Sequence, residues 1–430
     1  MRFYQETIET MDYTKLKIIQ NELFCNLFRR VYNSVDYYKQ KIDKAGINIK
    51  DIRSLDDIDR LPFMTKDDLR SAYPDKLLAV PKSKSIRIQS TSGTTGKRVI
   101  AYYTQRDLEL WEECCARAIV AAGGSSEDVC QVSYGYGLFT GGAGLNGGAQ
   151  RVGCLTLPMS TGNTSRQIQF MIDLNSTLLC CTPSYAANLG EYIVKNNLRD
   201  KLYLKSGIFG AEPWTNELRD KIENDLGIDA YDIYGLTEIM GPGVAFECNQ
   251  KEGMHIQEDH FYAEVVDPID GHRLQDGEVG ELVLTTLTKE AFPLIRYRTR
   301  DLCKIYREKC KCGRTHIRMS KPIGRTDDMF IVKGVNVWPS QIEAALMKNG
   351  YSSNYYIIIE RKNNNDIMKV VVETKCQTED ERVKHQEAAI LESAIKDITG
   401  IKSSVSIVRV GEIERSEGKS KHVFDNRKLY

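Results

Sequence analysis

The sequence has 430 residues, and its 41% hydrophobic and 27% charged content is that of a globular protein long enough for a large domain plus a smaller one. Its 59 basic and 59 acidic side chains cancel, which excludes the strongly positive surface of a typical nucleic-acid binder. It has no apolar run of membrane-spanning length and no apolar signal segment at its start, so we expect a cytoplasmic protein without a membrane partner.

The first part of the chain predicts helices on either side of a short hairpin. Apolar residues at three- and four-residue spacing form one stripe from Leu16 to Val31, which predicts a helix. Two β-like runs follow at residues 85–88 and 99–103. Thr104, with Asp107 three positions later, has the pattern of a capping box and predicts the start of another helix.

The segment between the two β-like runs is rich in serine, threonine and glycine. It contains Thr91, Ser92, Gly93, Thr94, Thr95, Gly96 and Lys97. Glycines let backbone N–H groups come close to an anion, hydroxyls add donors, and the lysine adds positive charge. Only two residues separate Gly93 from Gly96, which excludes a Walker loop. A flexible linker is the alternative, but the flanking runs favour a loop that holds a polyphosphate.

The middle and the end of the chain differ in their predicted elements. Short apolar runs alternate with helical segments over residues 130–240, which predicts a mixed or parallel α/β sheet, and strand-like runs dominate residues 262–306, which predicts a β-rich subdomain. Two strands, a long polar helix and a further strand are predicted between residues 355 and 410. We therefore expect an α/β fold with a large N-terminal domain, residues 1–326, and a small α+β C-terminal domain, residues 327–430.

Twelve cysteines in a chain without an export signal favour reduced thiols or metal ligands over disulfides. Cys248, His255, Cys310 and Cys312 supply three thiolates and one imidazole, a typical ligand set for structural Zn²⁺. Four unrelated reduced residues are the alternative, and His260 is an alternative ligand. Four protein ligands leave no open coordination position, so we assign this site no catalytic part.

An aromatic and glycine-rich segment spans residues 134–142. Tyr136 and Phe139 are candidates for the wall of an aromatic pocket, and Gly141 would make room beside them. Ordinary packing of aromatic rings in a buried loop is the alternative for either residue.

Four further motifs follow the polar loop in a recognisable order. They are Tyr234-Gly235-Leu236-Thr237-Glu238, Tyr297-Arg298-Thr299-Arg300-Asp301, Gly324-Arg325-Thr326-Asp327-Asp328 and Arg415-Ser416-Glu417-Gly418-Lys419. With the polar loop, they make nearly the whole chain resemble the adenylate-forming superfamily. Residues 136–142 and the segment Cys310-Lys311-Cys312-Gly313-Arg314 make the phenylacetate–CoA ligase family the closer match.

The resemblance implies an AMP-forming acid–CoA ligase for aromatic or arylacetic acids, with ATP, Mg²⁺, coenzyme A and structural Zn²⁺ as its cofactors. An acid carboxylate would attack the α-phosphate of ATP, pyrophosphate would leave, and the thiol of CoA would then attack the acyl-adenylate. The resemblance also implies a mobile C-terminal domain and a homodimer. Alternatives are an adenylating enzyme with a carrier protein or an amine as acceptor, and a non-catalytic nucleotide-binding homologue.

The resemblance also assigns roles to individual residues. The loop from Thr91 to Lys97 would hold the β- and γ-phosphates, Thr237 the α-phosphate, and Glu238 would carry Mg²⁺. Asp301 would bind the ribose hydroxyls, and Arg325 would contact ribose or phosphate. The residues that would border the nucleotide base are Ala211, Glu212, Pro213, Asp232, Tyr234 and Gly235. Lys419 would bridge the attacking carboxylate and the α-phosphate, with Lys421 in reserve.

The second half of the reaction involves two further residues by resemblance. Asp327 would be the hinge about which the small domain rotates, and Gly334 would line a pantetheine tunnel, where the missing Cβ leaves room for a thin chain. Asp301 as a strand-end cap and Asp327 or Gly334 as turn residues are the alternatives.

The acid pocket departs from the family pattern at one place. Relatives with small arylacetates usually have a His-Tyr pair where this chain has Asn146-Gly147. Loss of a bulky ring at Gly147 should enlarge or reshape the pocket. We therefore expect room for a larger aryl acid, such as an indole acid.

Overall fold

The computed structural model describes residues 3–91, 98–326, 329–333, 335–351, 354–362, 365–375, 380–414 and 422–427. In these ranges the helices are α1 (Glu6–Glu9), α2 (Tyr13–Ser34), α3 (Asp36–Lys44), α4 (Lys66–Ser71), α5 (Gln105–Ala121), α6 (Thr140–Val152), α7 (Thr164–Asp173), α8 (Pro183–Lys195), α9 (Asn216–Leu226), α10 (Pro339–Lys348) and α11 (Glu381–Thr399). Short 3₁₀ helices span Ile49–Asp51, Leu55–Arg60, Lys82–Lys84 and Arg199–Lys201. No helix in the described part of the chain is both long and apolar enough to cross a membrane.

The strands in the same ranges are short. They are β1 (Arg87–Ser90), β2 (Ile100–Tyr103), β3 (Val129–Val132), β4 (Leu155–Pro158), β5 (Leu178–Cys181), β6 (Ser206–Gly210), β7 (Asp229–Leu236), β8 (Gly241–Glu247), β9 (Met254–Ile256), β10 (Phe261–Val266), β11 (Gly280–Thr286), β12 (Tyr297–Cys303), β13 (Ile305–Tyr306), β14 (Arg318–Met319), β15 (Gly324–Arg325), β16 (Phe330–Val332), β17 (Val335–Val337), β18 (Tyr355–Lys362), β19 (Asn365–Glu373), β20 (Ser404–Val408) and β21 (Val423–Asp425).

The chain divides into two compact units. The first comprises Met1–Cys181, Asp200–Ala211 and Ile228–Lys321, and the second comprises Thr182–Arg199, Glu212–Gly227 and Pro322–Tyr430.

A nine-stranded sheet in the order β13-β14-β9-β8-β7-β6-β5-β3-β4 runs through the first unit. The half from β4 to β7 is parallel, and the half from β7 to β13 is antiparallel. All four residues of β5 and all five of β6 are buried, as expected for parallel strands that are covered on both faces. The predicted mixed α/β sheet is thereby confirmed.

Strands β10, β11 and β12 of the first unit form antiparallel ladders, and all seven residues of β11 are buried. This confirms the β-rich subdomain. A separate hairpin of β1 and β2 pairs Ser90 with Ile100 and so frames the start of the polar loop. The predicted capping box is also present, because Thr104 and Asp107 exchange side-chain to backbone hydrogen bonds at the start of α5.

The second unit contains a sheet in the order β20-β19-β18-β21, in which β18 and β19 are antiparallel and the outer strands pair in parallel. Helices α10 and α11 contribute Ile342, Leu346, Leu391 and Ile395 to one core with these strands. The long polar helix predicted from Glu379 begins at Glu381, where the Asp380 side chain caps the backbone N–H of Arg382. The α+β fold of the C-terminal segment is confirmed, and the compact unit also includes residues 182–199 and 212–227.

Helix α6 begins at Thr140, inside the aromatic and glycine-rich segment, where no helix was predicted from the sequence. A Cβ atom added to Gly144 would lie 2.6 Å from the ring of Trp111, and one added to Gly148 would overlap Cys115. Trp111 and Cys115 both lie on α5. The glycines therefore allow α6 to pack closely against α5, and this tertiary contact outweighs the low intrinsic helix propensity of glycine.

Candidate active site

The base of the polar loop is closed by backbone pairing. The N–H of Thr91 donates to the carbonyl of Val99, while the Thr91 hydroxyl accepts from the Val99 N–H, both at 3.1 Å. The N–H of Ser90 donates to Leu138 in the aromatic segment at 2.9 Å. Thr91 is therefore held at the end of β1, whereas Ser92, Gly93, Thr94, Thr95, Gly96 and Lys97 lie outside the described residues.

A tight turn after β7 carries two predicted site residues. Thr237 and Glu238 are both buried, and the Thr237 hydroxyl lies 3.4 Å from that of Thr140 at the start of α6. The Nζ of Lys66 lies 4.0 Å from the Glu238 carboxylate. A carboxylate beside a cation and two hydroxyls suits a site for an anionic ligand and its counterion. Lys66 was not found from the sequence, since it is far from the motif and lies in an unremarkable first helical turn.

The Tyr234 hydroxyl donates to the Asp301 carboxylate at 2.6 Å, and both residues are buried. Tyr234 lies on β7 of the nine-stranded sheet, whereas Asp301 lies on β12 of the antiparallel ladder. Arg300, directly before Asp301, has a φ of 69°, a left-handed conformation that costs energy for a residue with a Cβ. The structure thus brings together two site residues predicted 67 positions apart.

Three of the predicted base-binding residues, Ala211, Asp232 and Gly235, lie on or directly after the central strands β6 and β7. Ala211 directly follows β6 and has a φ of 72°, a second strained backbone position. The Asp232 N–H donates to the buried Glu247 carboxylate at 3.0 Å, and the Asp232 carboxylate lies 4.0 Å from the Nζ of Lys321. Gly235 lies at the end of β7, where an added Cβ would overlap the backbone of Gly241.

Other predicted residues lie in the second unit or are not described. Glu212 accepts a 2.7 Å hydrogen bond from the Ser184 N–H in the first turn of α8, and Pro213 is exposed. Arg325 lies on β15 and is partly buried. The hinge candidate Asp327, the tunnel candidate Gly334 and the two lysines Lys419 and Lys421 lie outside the described residues.

The aromatic residues predicted for the acid pocket lie close together. Tyr136 and Phe139 pack against the cluster that contains Tyr134, and an added Cβ on Gly141 would meet the rings of both Phe139 and Tyr134 within 3 Å. Burial raises the pKa of Tyr136, whose hydroxyl donates to Asn146 at 3.3 Å. Gly147 instead faces α5, where an added Cβ would lie 2.6 Å from the Cγ of Glu112.

The four predicted zinc ligands converge although they are up to 64 positions apart in the sequence. Their ligand atoms all lie within 4.8 Å of one another and all four residues are buried. The two sulfurs of Cys248 and Cys310 are 3.8 Å apart, the Cys312 sulfur lies 3.4 Å from His255 Nε2, and His255 Nδ1 lies 3.1 Å from the His316 carbonyl. Tetrahedral zinc with Zn–S bonds of about 2.3 Å separates its sulfurs by about 3.8 Å, so the donor set fits this ion.

The electrostatics of this cluster favour a thiolate. Hydrogen bonding to Cys248 and to His255 lowers the pKa of Cys312 to about 2. The backbone N–H of Arg314 also donates to the Cys312 sulfur at 3.5 Å. The backbone carbonyl at His255 Nδ1 fixes the ring so that Nε2 faces the sulfurs, the usual arrangement of an imidazole ligand.

His260, the alternative ligand, belongs to a different buried group. It lies with Glu113 and Asp259, and Arg117 donates to both Asp259 oxygens at 2.8 Å. Because the guanidinium already compensates the Asp259 carboxylate, this group is an internal ion-pair network.

Comparison with known proteins identifies the family. The model of the AMP-binding enzyme family matches residues 34–287, and that of the AMP-binding enzyme C-terminal domain matches residues 334–427. The phenylacetate–coenzyme A ligase of Pseudomonas putida is 44% identical over 98% of this chain and 97% of its own length. The chain belongs to the phenylacetate–CoA ligase family of AMP-binding enzymes.

Further relatives agree with this assignment. The phenylacetate–coenzyme A ligase of Escherichia coli K12 is 45% identical over 99% of this chain and 98% of its own length. Among solved structures, 2-hydroxyisobutyryl-CoA ligase in its postadenylation state matches with a TM-score of 0.92, at 26% identity over 99% of this chain and 93% of that chain. Its thioesterification state, with CoA bound, matches with a TM-score of 0.73 at 27% identity over 100% and 93% of the two chains. The chain is thus an AMP-forming acid–CoA ligase.

Proposed function

We propose that this enzyme activates an aromatic or arylacetic acid with ATP and transfers the acyl group to coenzyme A. The observation that carries the proposal is the sequence identity of 44% and 45% to two phenylacetate–CoA ligases over nearly the whole chain. The buried contact between Tyr234 and Asp301 supports it, because two motifs from different sheets meet there as a nucleotide site requires.

In the adenylation step, the chain holds two anions together and stabilises the charge that develops between them. Thr237 donates to the α-phosphate, Asp301 accepts from the ribose hydroxyls, and the loop from Thr91 to Lys97 binds the outer phosphates. Glu238 holds Mg²⁺, which neutralises phosphate charge when it is bound. Lys419 bridges the acid carboxylate and the α-phosphate, and Arg325 contacts the nucleotide.

In the second step, the small domain turns and presents a different surface to the acyl-adenylate. We place the domain boundary after residue 326, with Asp327 as the hinge and Gly334 at the pantetheine arm of CoA. The separate C-terminal family match, which begins at residue 334, supports a boundary in this region. The second compact unit begins its C-terminal segment slightly earlier, at Pro322, and also includes residues 182–199 and 212–227.

The acid binds beside Tyr136, Phe139 and Gly141. Gly147 lacks the bulky ring of relatives with small arylacetates, and because its Cβ position faces Glu112 of α5, it would reshape the pocket through the packing of α6 on α5. This proposal favours a larger ring, such as that of an indole acid, over phenylacetate. The partly buried rings of Tyr136 and Phe139 and the contact of Tyr136 with Asn146 support an aromatic pocket wall.

Cys248, His255, Cys310 and Cys312 hold one structural Zn²⁺ in this proposal, which the mutual distances of their donor atoms support. A cytoplasmic location and a homodimer are further parts of the proposal and rest on the sequence and the family resemblance alone.

Pyrophosphate release across a panel of aryl and aliphatic acids, measured with and without CoA, tests the proposed function. We expect release with aromatic acids and formation of a thioester with free CoA. A Lys419→Ala variant should lose adenylation but keep thioester formation from preformed acyl-AMP, while Lys421→Ala should keep both. If none of the acids supports pyrophosphate release by the purified enzyme, the proposal is refuted. If the acyl group is transferred only to a carrier protein or an amine, the proposed acceptor is wrong.

A further inference from the structure

A buried loop after β11 is fixed by charged side chains from two helices. The Asp107 carboxylate of α5 accepts from the N–H groups of Glu290 and Ala291 at 2.6 and 3.0 Å. Arg30 of α2 donates to the carbonyls of Lys289 and Glu290 at 2.8 and 2.7 Å. Two N–H groups and two carbonyls of these three residues are therefore paired, so the loop presents the Lys289 side chain in a defined direction.

Lys289 is fully buried, and its ammonium is directed at the turn that carries Thr237 and Glu238. Its Nζ donates to the carbonyl of Ile239 at 2.6 Å and lies 4.6 Å from the ring centroid of Tyr103. An ammonium over an aromatic face is attracted by the ring, so Tyr103 helps to hold this cation.

Tyr103, at the end of β2, contacts the same turn. Its hydroxyl donates to the Met240 carbonyl at 2.8 Å and lies 3.5 Å from the Thr237 carbonyl. Its ring stacks on Trp111 of α5, with centroids 5.3 Å apart. Two buried side chains thus contact three carbonyls within the four residues Thr237 to Met240.

We propose that Lys289 and Tyr103 are positioning residues that hold the Thr237–Glu238 turn in the geometry required for Mg²⁺-dependent adenylation. The inference rests on the proposed function, since it assigns these two side chains to the turn that binds the α-phosphate and the metal ion. Neither side chain contacts substrate in this proposal, and both act through the backbone of the turn.

A buried lysine is a costly way to fill space. Burial lowers the pKa of Lys289 to about 8, although Asp107 and Glu238 oppose this change. An apolar side chain of similar volume would avoid the desolvation of an ammonium. The ammonium, unlike an apolar side chain, forms a charge-assisted hydrogen bond that fixes the backbone carbonyl directly after Glu238.

Two variants test the inference, each in the full-length enzyme. Lys289→Met removes the ammonium at similar volume, and Tyr103→Phe removes only the hydroxyl while keeping the ring. Lys221→Met is the control, because it removes the 2.6 Å ion pair between Lys221 and Asp225 on α9, a helix that carries none of the proposed site residues. The two half-reactions are assayed separately, as pyrophosphate release over a Mg²⁺ titration and as thioester formation from supplied acyl-AMP and CoA.

We expect adenylation to fall about tenfold or more in Lys289→Met, the effect of losing one hydrogen bond from a charged group, and about threefold or more in Tyr103→Phe. The Mg²⁺ concentration for half-maximal rate should rise several-fold in both variants, while the second half-reaction falls much less. A purely structural role would lower both half-reactions equally and leave the Mg²⁺ midpoint unchanged, as in Lys221→Met.

Equal losses in both half-reactions, or no loss, would overturn the inference. If Lys289→Met does not fold, Tyr103→Phe alone decides: an unchanged Mg²⁺ midpoint and half-reaction ratio overturns the inference, and a raised midpoint with selective loss of adenylation supports it. Wild-type enzyme that never adenylates an acid would instead refute the proposed function, so the two failures are distinguishable.

Discussion

The Asp301 carboxylate is oriented by the Tyr234 hydroxyl and is therefore ready to accept from a second donor. We predict that Asp301→Asn raises the KM for ATP by about tenfold, because a charged acceptor is replaced by an amide of the same shape. Tyr234→Phe should have a smaller effect in the same direction, since it removes only the orienting bond. Steady-state kinetics with varied ATP measure the KM of both variants, and Asp56→Asn is the control at an exposed carboxylate. An unchanged KM in Asp301→Asn would contradict the assignment of Asp301 to the ribose hydroxyls.

A second prediction concerns Asp68, the third residue of helix α4, whose carboxylate accepts from the N–H of the capping residue Thr65 at 2.8 Å. Burial opposes its ionisation, but hydrogen bonds from Lys41, Thr65 and Tyr37 outweigh that effect and hold the pKa of Asp68 below its ordinary value of 3.8. The stabilisation is therefore complete above that value and is lost as the pH falls through the lower pKa of the folded state. Asp68→Ala should reduce the free energy of unfolding by about 2 kcal/mol at neutral pH, through loss of the cap and the charged bonds.

The difference in unfolding free energy between wild type and Asp68→Ala should shrink as the pH falls from about 5 to about 2. Denaturant titrations over this pH range measure it. Asp67→Ala is the matched control on the same helix, because the Asp67 side chain is 83% exposed. A difference that stays constant with pH would show that the Asp68 charge is not the stabilising feature.

The sequence predicted those site residues that belong to a local motif. It missed residues whose contacts with the site join distant parts of the chain. Tyr234, Thr237 and Asp301 are each flanked in the sequence by the other residues of a recognisable motif. Lys289 and Tyr103 have no such neighbours, since the lysine reaches a carbonyl 50 positions away and the tyrosine one 137 positions away. Only a folded backbone brings such pairs together.

Helix α6 contains glycines, which have low helix propensity, because close packing against α5 leaves no room for a side chain at some positions. A Cβ on Gly144 would meet the rigid Trp111 ring, whereas one on Gly147 would meet the flexible side chain of Glu112. We predict that Gly144→Ala lowers the free energy of unfolding by about 1–3 kcal/mol through overpacking. Gly147→Ala should be near neutral, because improved helix propensity, worth about 1 kcal/mol, offsets the movement of Glu112.

Thermal unfolding of the two alanine variants measures this difference. Because both change glycine to alanine in one helix, backbone entropy cancels in the comparison. Equal destabilisation of the two variants would contradict the close contact with Trp111. A Gly147→Tyr variant addresses a separate question, since an unchanged preference for acid size would remove Gly147 from the proposed acid pocket.

The elements themselves were predicted well where side-chain periodicity was strong. The stripe from Leu16 to Val31 lies within α2, and the capping box at Thr104 starts α5. Helix α6 was missed because its glycines indicate a loop when only local propensity is considered. The contact with α5 that stabilises this helix appears in the sequence only as glycines at helical spacing, Gly144 and Gly148, which helix propensity scores as unfavourable.

For the molecule as a whole, the four residues of the cysteine and histidine cluster link β8 and β9 to the loop before β14. We predict about one Zn²⁺ per chain by elemental analysis, and partial unfolding with loss of the metal when a strong chelator is added. Cys310→Ser should retain much less metal and melt at a lower temperature. Cys25→Ser is the control outside the cluster and should keep the metal, and wild-type enzyme purified free of zinc with unchanged stability would contradict the prediction.

The order of strands in the large sheet could not be predicted from the sequence. The motifs indicated alternating strands and helices, but not that β7 pairs with β8 in the opposite direction and so changes a parallel sheet into an antiparallel one. Nor did the linear pattern show that residues 182–199 and 212–227 form one compact unit with the C-terminal segment. Both features depend on long-range pairing, which composition and periodicity do not encode.

One contact near the start of the chain has a practical consequence. Glu9 forms a buried 2.7 Å ion pair with Arg314, and the Thr315 N–H donates to the Glu9 carbonyl at 3.0 Å. The ring of Phe3 lies 4.8 Å from the same guanidinium. Removal of the first ten residues, a routine step in preparing samples, would thus remove these contacts with the loop that carries Cys310 and Cys312, about 300 positions downstream. Purification handles are better attached elsewhere.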